Sequence, residues 1–168
     1  FVFPFKKEVR TLKVVFSSDF QLIADGRPLE YGTYYIDAPG LSTFEALISG
    51  EGKRLYPLPL KIFYSHKSLQ LVVEEDKIRY SFDSATAELG EYSTCTETLK
   101  ALAILIHGRC NSQTSKHKNA DFCDLSCCQI YRGRQNKELP EFMVIDNALS
   151  KSNFYFSSSN GGKIFSEG

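Results

Sequence analysis

The apolar residues of this chain change their period once, and that switch limits the folds open to it. Over residues 10–83 they alternate. Leu12, Val14 and Phe16 recur at every second position, and Leu60, Ile62 and Tyr64 do so again. A period of two sends one set of side chains to one face of a strand. Thr33 to Ala38 and Phe44 to Ser49 are further short strand candidates, cut by Pro39-Gly40 and Gly50-Glu51-Gly52, and Asp25-Gly26 supplies a turn. Pro57 and Pro59 assign their segment to a strand start or a sheet edge. Leu69 to Glu74 and Ile78 to Phe82 flank the charged tripeptide Glu75-Asp76-Lys77, which predicts a hairpin.

Beyond residue 84 the period lengthens. Leu99, Leu102, Ala103, Ile106 and Cys110 share one helical face, which predicts a helix over 95–110. Thr94 and Glu97 have the spacing of a capping box at its start. Asn111 to Asn119 reads as a polar loop, and Cys123 to Gly133 as a tight loop leading into a short strand. Pro140 suits a first helical turn, so Glu141 to Leu149 is a candidate second short helix. Phe154 to Phe156 reads as a strand, and Ser157 to Gly162 as a polar turn. Strands first and helices later predict one α+β domain over 1–168. It comprises a largely antiparallel, β-rich portion (10–83) packed with one main helix and a loop-rich portion (84–168).

The charge balance narrows the partners. Twenty Lys+Arg stand against twenty Asp+Glu. Phosphate affinity needs clustered cations, so no nucleic-acid partner is expected. The longest strictly apolar run is Ala101 to Ile106, far short of a bilayer span, so no membrane-spanning helix is expected. The chain begins at Phe1 with no basic and apolar leader and stops at Gly168 without an obvious terminal element, so both ends are treated as open to continuation.

Five cysteines are an odd number for a disulfide framework, and Cys123, Cys127 and Cys128 crowd into six positions. With His117 they supply one imidazole and three thiols within twelve positions. Zinc accepts that donor set in a closed tetrahedron, which would pin a loop with little core of its own. A surface histidine beside partly buried thiols, or a vicinal Cys127-Cys128 redox pair, would leave the same pattern. Cys95 and Cys110 fall at opposite ends of the predicted helix, roughly 22 Å apart at 1.5 Å rise per residue, too far to bridge. Both are expected to be free and at least partly buried.

Three carboxylates, Glu88, Glu91 and Glu97, lie near the junction between the two portions. Glu97 is accounted for by the capping box. Glu88 has small or apolar neighbours in Ala85-Thr86-Ala87-Glu88-Leu89, the setting in which a carboxyl can be desolvated and kept protonated as a general acid; from the residues alone an ordinary solvated loop carboxylate is the commoner explanation. His107 reads as a satisfied helix histidine and His66 as a solvated turn residue.

Together these segments resemble the stage II sporulation protein D family (SpoIID/LytB domain). His117…Phe122-Cys123-Asp124…Cys128-Gln129-Ile130-Tyr131-Arg132-Gly133 is similar to the family's His, a Cys six later, then His-Cys-Gln-Val-Tyr with a Gly two further on. Ala87-Glu88-Leu89 resembles its Ser-Glu-Met element, Glu97-Thr-Leu-Lys-Ala-Leu-Ala its Glu-Ala-Leu-Lys-Ala-Gln-Ala helix, and Phe156 to Gly162 its Phe-His-Ser-Thr-Ser-Gly-Gly turn. The four blocks are collinear over residues 80–162. There are departures. Cys127 stands where the family has a second His, His107 where its helix carries Arg, and Leu102 where it carries Gln. The Glu88–Glu97 spacing is one residue longer, and the family's domain continues well past the Gly-Gly pair.

The resemblance implies a lytic transglycosylase of peptidoglycan outside the cytoplasm, acting in sporulation, division or wall turnover and anchored to the membrane, if at all, through a segment absent here. It assigns Glu88 as the single catalytic acid and base, His117, Cys123, Cys127 and Cys128 as ligands of a structural Zn2+, and Gln129, Tyr131, Ser158, Ser159, Gly161 and Gly162 as contacts to the glycan strand. Some members instead enhance a wall amidase, so a binding module without cleavage is the alternative it implies.

Overall fold

The protein is seen in a computed structural model that describes residues 2–4, 12–15, 21–24, 26–37, 43–48, 52–112, 117, 119–124, 128–135, 138 and 140. Its fold is mixed α+β. Nine strands occur among the described residues: β1 (Val2–Pro4), β2 (Leu12–Val15), β3 (Gln21–Ala24), β4 (Arg27–Pro28), β5 (Gly32–Ile36), β6 (Thr43–Ile48), β7 (Gly52–Pro57), β8 (Leu60–Tyr64) and β9 (Leu69–Val73). Two helices follow, α1 (Lys77–Leu89) and α2 (Thr96–Ser112), joined by a 3-10 turn over Gly90–Thr94.

The strands form two sheets, in the orders β1-β5-β8-β9 and β4-β3-β2-β6-β7. Pairing is antiparallel except for β1 with β5 and β2 with β6. Alternation decides the faces. In β5 and β8, Tyr34, Ile36, Leu60, Ile62 and Tyr64 are buried while Tyr35 and Lys61 are exposed. In β3, β6 and β7, Leu22, Ala24, Phe44, Ala46, Ile48 and Tyr56 are among the buried residues, and these side chains meet those of β5 and β8 in one core. The apolar faces of the two sheets thus remove each other from water, the dominant stabilising term for such a fold. Ser65 closes the turn between β8 and β9, its Oγ accepting from the Ser68 N–H at 3.0 Å.

Of the predicted hairpin over Leu69–Phe82 only the first strand forms: the sheet stops at Val73 and residues 77–89 are helical. Asp76 is the reason. Its backbone is extended and its carboxylate accepts from the N–H groups of Ile78 (2.9 Å) and Arg79 (3.1 Å), satisfying two of the donors a helix start leaves open. The charged tripeptide is a helix cap rather than a strand turn, so the described residues hold two long helices where one main helix was expected. Helix α1 buries every residue from Ser81 to Thr86. The hydroxyls of Ser81 and Thr86 donate one turn back, to Lys77 O (2.6 Å) and Phe82 O (2.8 Å), which lets polar side chains sit inside.

The second core lies between the helices, where Phe82 and Ala85 of α1 meet Leu99, Ala103, Ile106 and Cys110 of α2. The face expected of α2 is therefore the buried one. Its start differs by one residue from the capping-box reading. Thr94 belongs to the 3-10 turn and its hydroxyl donates to Glu91 O (3.2 Å), while Cys95 flanks the helix and its Sγ accepts from Thr98 Oγ1 (3.1 Å). Cys95 is thus exposed, against the expectation of burial; Cys110 is buried, and both thiols are free. His107 is also buried, and its Nδ1 has no hydrogen-bond partner among the described residues, so it is not the satisfied histidine expected. The candidate helix over 141–149, the strand over 154–156 and the turn over 157–162 lie outside the described residues.

Candidate functional site

Three of the four expected metal ligands converge. The side-chain donor atoms of His117, Cys123 and Cys128 all lie within 4.8 Å of one another, and His117 Nε2 is 3.1 Å from Cys128 Sγ. Zinc bonds of about 2.0 Å to nitrogen and about 2.3 Å to sulfur set tetrahedral donor separations of roughly 3.5–3.8 Å, so small side-chain adjustments bring this trio onto one ion. One imidazole and two thiols are a donor set that could hold a zinc ion. Cys128 is buried and His117 and Cys123 are half-buried. Arg109 of α2 donates to the Cys128 carbonyl at 3.2 Å, tying the loop to the helix pair. Cys127, the expected fourth ligand, lies outside the described residues.

The chain leaving Cys128 was expected to become a short strand. It makes instead an extended strap with a single bridge, Arg134 to Leu55 of β7. Backbone N–H groups need partners wherever water is excluded, and here they come from four distant places. Ile130 N–H donates to Glu88 Oε1 (2.9 Å), Tyr131 N–H to Asp124 Oδ1 (2.8 Å), Arg134 N–H to Leu55 O (2.6 Å) and Gln135 N–H to Asp83 Oδ1 (3.0 Å). Gly133, at φ +82°, has no Cβ to strike the Leu55 backbone.

Two ion pairs fix the strap further. Arg134 forks onto Glu75 with two 2.8 Å bonds, and this bonding raises the guanidinium pKa. Asp83 is fully buried, and Arg79 bonds its Oδ2 at 2.9 Å and also reaches Gln135 O. Burial pushes the Asp83 carboxyl up from its ordinary range, with the Arg79 bond and the Gln135 N–H opposing that shift.

Glu88 occupies the last turn of α1, exposed at the surface, with Oε1 held by the strap. The residue that holds Glu88, Ile130, lies two positions beyond Cys128 of the His/Cys cluster. Gln129 and Tyr131, expected to touch substrate, are both buried. The Tyr131 ring packs 5.6 Å from that of Tyr80, and burial drives both phenols well above their ordinary pKa. Ser158, Ser159, Gly161 and Gly162 lie outside the described residues. Beside Arg132 a depression of about 390 Å³ is lined by Lys53, Arg54, Arg132 and Gln135.

Sequence reasoning missed Asp124, which joins the metal loop to the strap and, through Arg54 at 3.5 Å, to β7. Its place directly after Cys123 was the available signal. Asp83, Glu75 and Arg134 were missed as well, since their partners are 52–59 residues away. No family model, curated protein or solved structure matches this chain.

Proposed function

We propose that this chain is a zinc-stabilised lytic transglycosylase that cleaves the glycan strands of peptidoglycan outside the cytoplasm. The observation that carries the reading is the bond from Ile130 N–H to Glu88 Oε1, formed two residues beyond Cys128 of the His/Cys cluster. Loop and acid form one unit, so a metal that orders the loop also orients the carboxyl. His117, Cys123 and Cys128, with Cys127 as the fourth donor, would hold the ion; its contribution is rigidity.

With Ile130 N–H on one oxygen, the other oxygen of Glu88 is available for proton transfer. In the protonated form it donates to the glycosidic oxygen between N-acetylmuramic acid and N-acetylglucosamine. The bond from that oxygen to the muramoyl C1 breaks, and N-acetylglucosamine leaves with the proton. The Glu88 carboxylate then takes the proton of the muramoyl 6-hydroxyl as its oxygen bonds to C1, closing a 1,6-anhydro ring. No water is consumed. One carboxyl suffices because the nucleophile belongs to the substrate, whereas hydrolysis uses two carboxylates at set separations. Intramolecular attack also has a high effective molarity.

The test is to digest purified glycan strands and seek 1,6-anhydro-muramoyl products by mass spectrometry, alongside elemental analysis for zinc. Products from the wild type and none from Glu88→Gln support the reading; equal product from both removes Glu88 from the role. One observation favours the alternative of a non-catalytic wall-binding or amidase-enhancing module: Glu88 is exposed and does not line the 390 Å³ depression. Sedimentation with intact peptidoglycan without released fragments would select that alternative.

A further inference from the structure

The 3-10 turn that follows Glu88 buries none of its five residues. It is nevertheless held firmly. Gly90 N–H donates back to Thr86 O of α1, Cys95 N–H donates to Tyr92 O at 3.0 Å, and Thr94 Oγ1 donates to Glu91 O. On this fixed turn sits Tyr92, 70% exposed, the most exposed of the large hydrophobic side chains among the described residues. Its hydroxyl has no partner among those residues. A rigid aromatic ring left in water contributes nothing to either core. Such a ring is what a recognition surface uses, since it offers a large flat apolar area at small entropic loss.

Its neighbours match a carbohydrate. Glu91, Thr94 and Thr98 are exposed and Ser93 is half-buried, so the chain on either side of Tyr92 carries carboxylate and hydroxyl groups of the kind that bond sugar hydroxyls. Four residues separate Tyr92 from Glu88, which limits their Cα separation to about 14 Å, within the length of a short oligosaccharide. We propose that Tyr92 is a sugar-stacking residue, its ring lying under the apolar face of a pyranose one or two units from the bond that Glu88 cleaves. The inference rests on the glycan-strand reading above and adds to it a residue that fixes where the strand lies.

The test uses the full zinc-loaded chain and purified, insoluble glycan strands, with binding read by sedimentation and anhydro products read in the same tubes. Tyr92→Ala is expected to weaken binding about tenfold, the equivalent of one aromatic contact, while Tyr92→Phe stays within about twofold because it keeps the ring. Zinc content and circular dichroism should be unchanged in both. Equal sedimentation of wild type and Tyr92→Ala, or loss of binding in Tyr92→Phe as large as in Tyr92→Ala, overturns the stacking role. If binding depends on the ring but no anhydro product forms, the stacking role stands and the catalytic reading falls. If wild type forms product and Tyr92→Ala matches it in KM, kcat and binding, only the stacking role falls.

Discussion

Gly133→Ala is the substitution to which the strap should be most sensitive. A Cβ at this position would overlap the Leu55 carbonyl oxygen and lie 3.2 Å from its carbon, both fixed backbone atoms of β7. Three effects combine. An L-residue at φ +82° costs about 1–2 kcal/mol. Overpacking against backbone adds about 1–3 kcal/mol. Moving the strap to relieve it stretches the Arg134 N–H to Leu55 O bond, a loss of about 1 kcal/mol. The expected total is about 4 kcal/mol, or roughly 10 °C in Tm for a chain of this size. Gly26→Ala is the control. Gly26 has φ +75° but nothing within 4 Å of its Cβ position, so only the backbone effect of about 1–2 kcal/mol should appear. Urea unfolding followed by far-UV circular dichroism reads both variants. If Gly133→Ala loses no more stability than Gly26→Ala, the close approach of strap and sheet is wrong, and with it the means by which Glu88 is held.

Other expectations follow from single contacts. Asp76→Ala should destabilise the protein by about 1 kcal/mol in urea melts, since it uncovers two N–H groups at the start of α1; a neutral result would deny the cap. Burial pushes the Cys110 thiol up from 9.0 to about 11, with Ser81 the main opposing contact. The folded state then keeps a proton that the unfolded state gives up, so the stabilisation is complete below pH 9 and lost as pH rises to 11. On the order of 2 kcal/mol should disappear across that window, and Cys110→Ala should flatten the decline between pH 9 and 10 in equilibrium unfolding. The Cys95 thiol is exposed and its pKa is lowered, first by the Thr98 hydroxyl. Iodoacetamide near pH 8 should label Cys95 before Cys110, and Thr98→Ala should slow that labelling; first reaction at Cys110 would contradict both assignments.

The strands were legible because one face of each sheet is buried, which imposes alternation directly on the sequence. Helix α2 was legible for the analogous reason, with Leu99, Ala103, Ile106 and Cys110 facing a partner helix. Helix α1 was not. It buries Ser81, Asp83, Ser84 and Thr86 along with Phe82 and Ala85, so no apolar stripe separates inside from outside. Ile78, Tyr80 and Phe82 then look like a strand, and only the Asp76 cap distinguishes the two. The closeness of His117, Cys123 and Cys128 was readable from composition and proximity in sequence. The strap was not, because its partners lie up to 79 residues away and depend on the sheets and helices already being in position.

That dependence has a consequence for the order of assembly. The strap's four amides at Ile130, Tyr131, Arg134 and Gln135 are held by Glu88, Asp124, Leu55 and Asp83, from the helical region, the ligand loop and a strand edge. A nascent chain that has completed both sheets still lacks every one of these anchors except Leu55, so this stretch should become protected after the sheets do. Its hydrogen exchange should therefore report whether the whole molecule, rather than any fragment of it, has reached its final form.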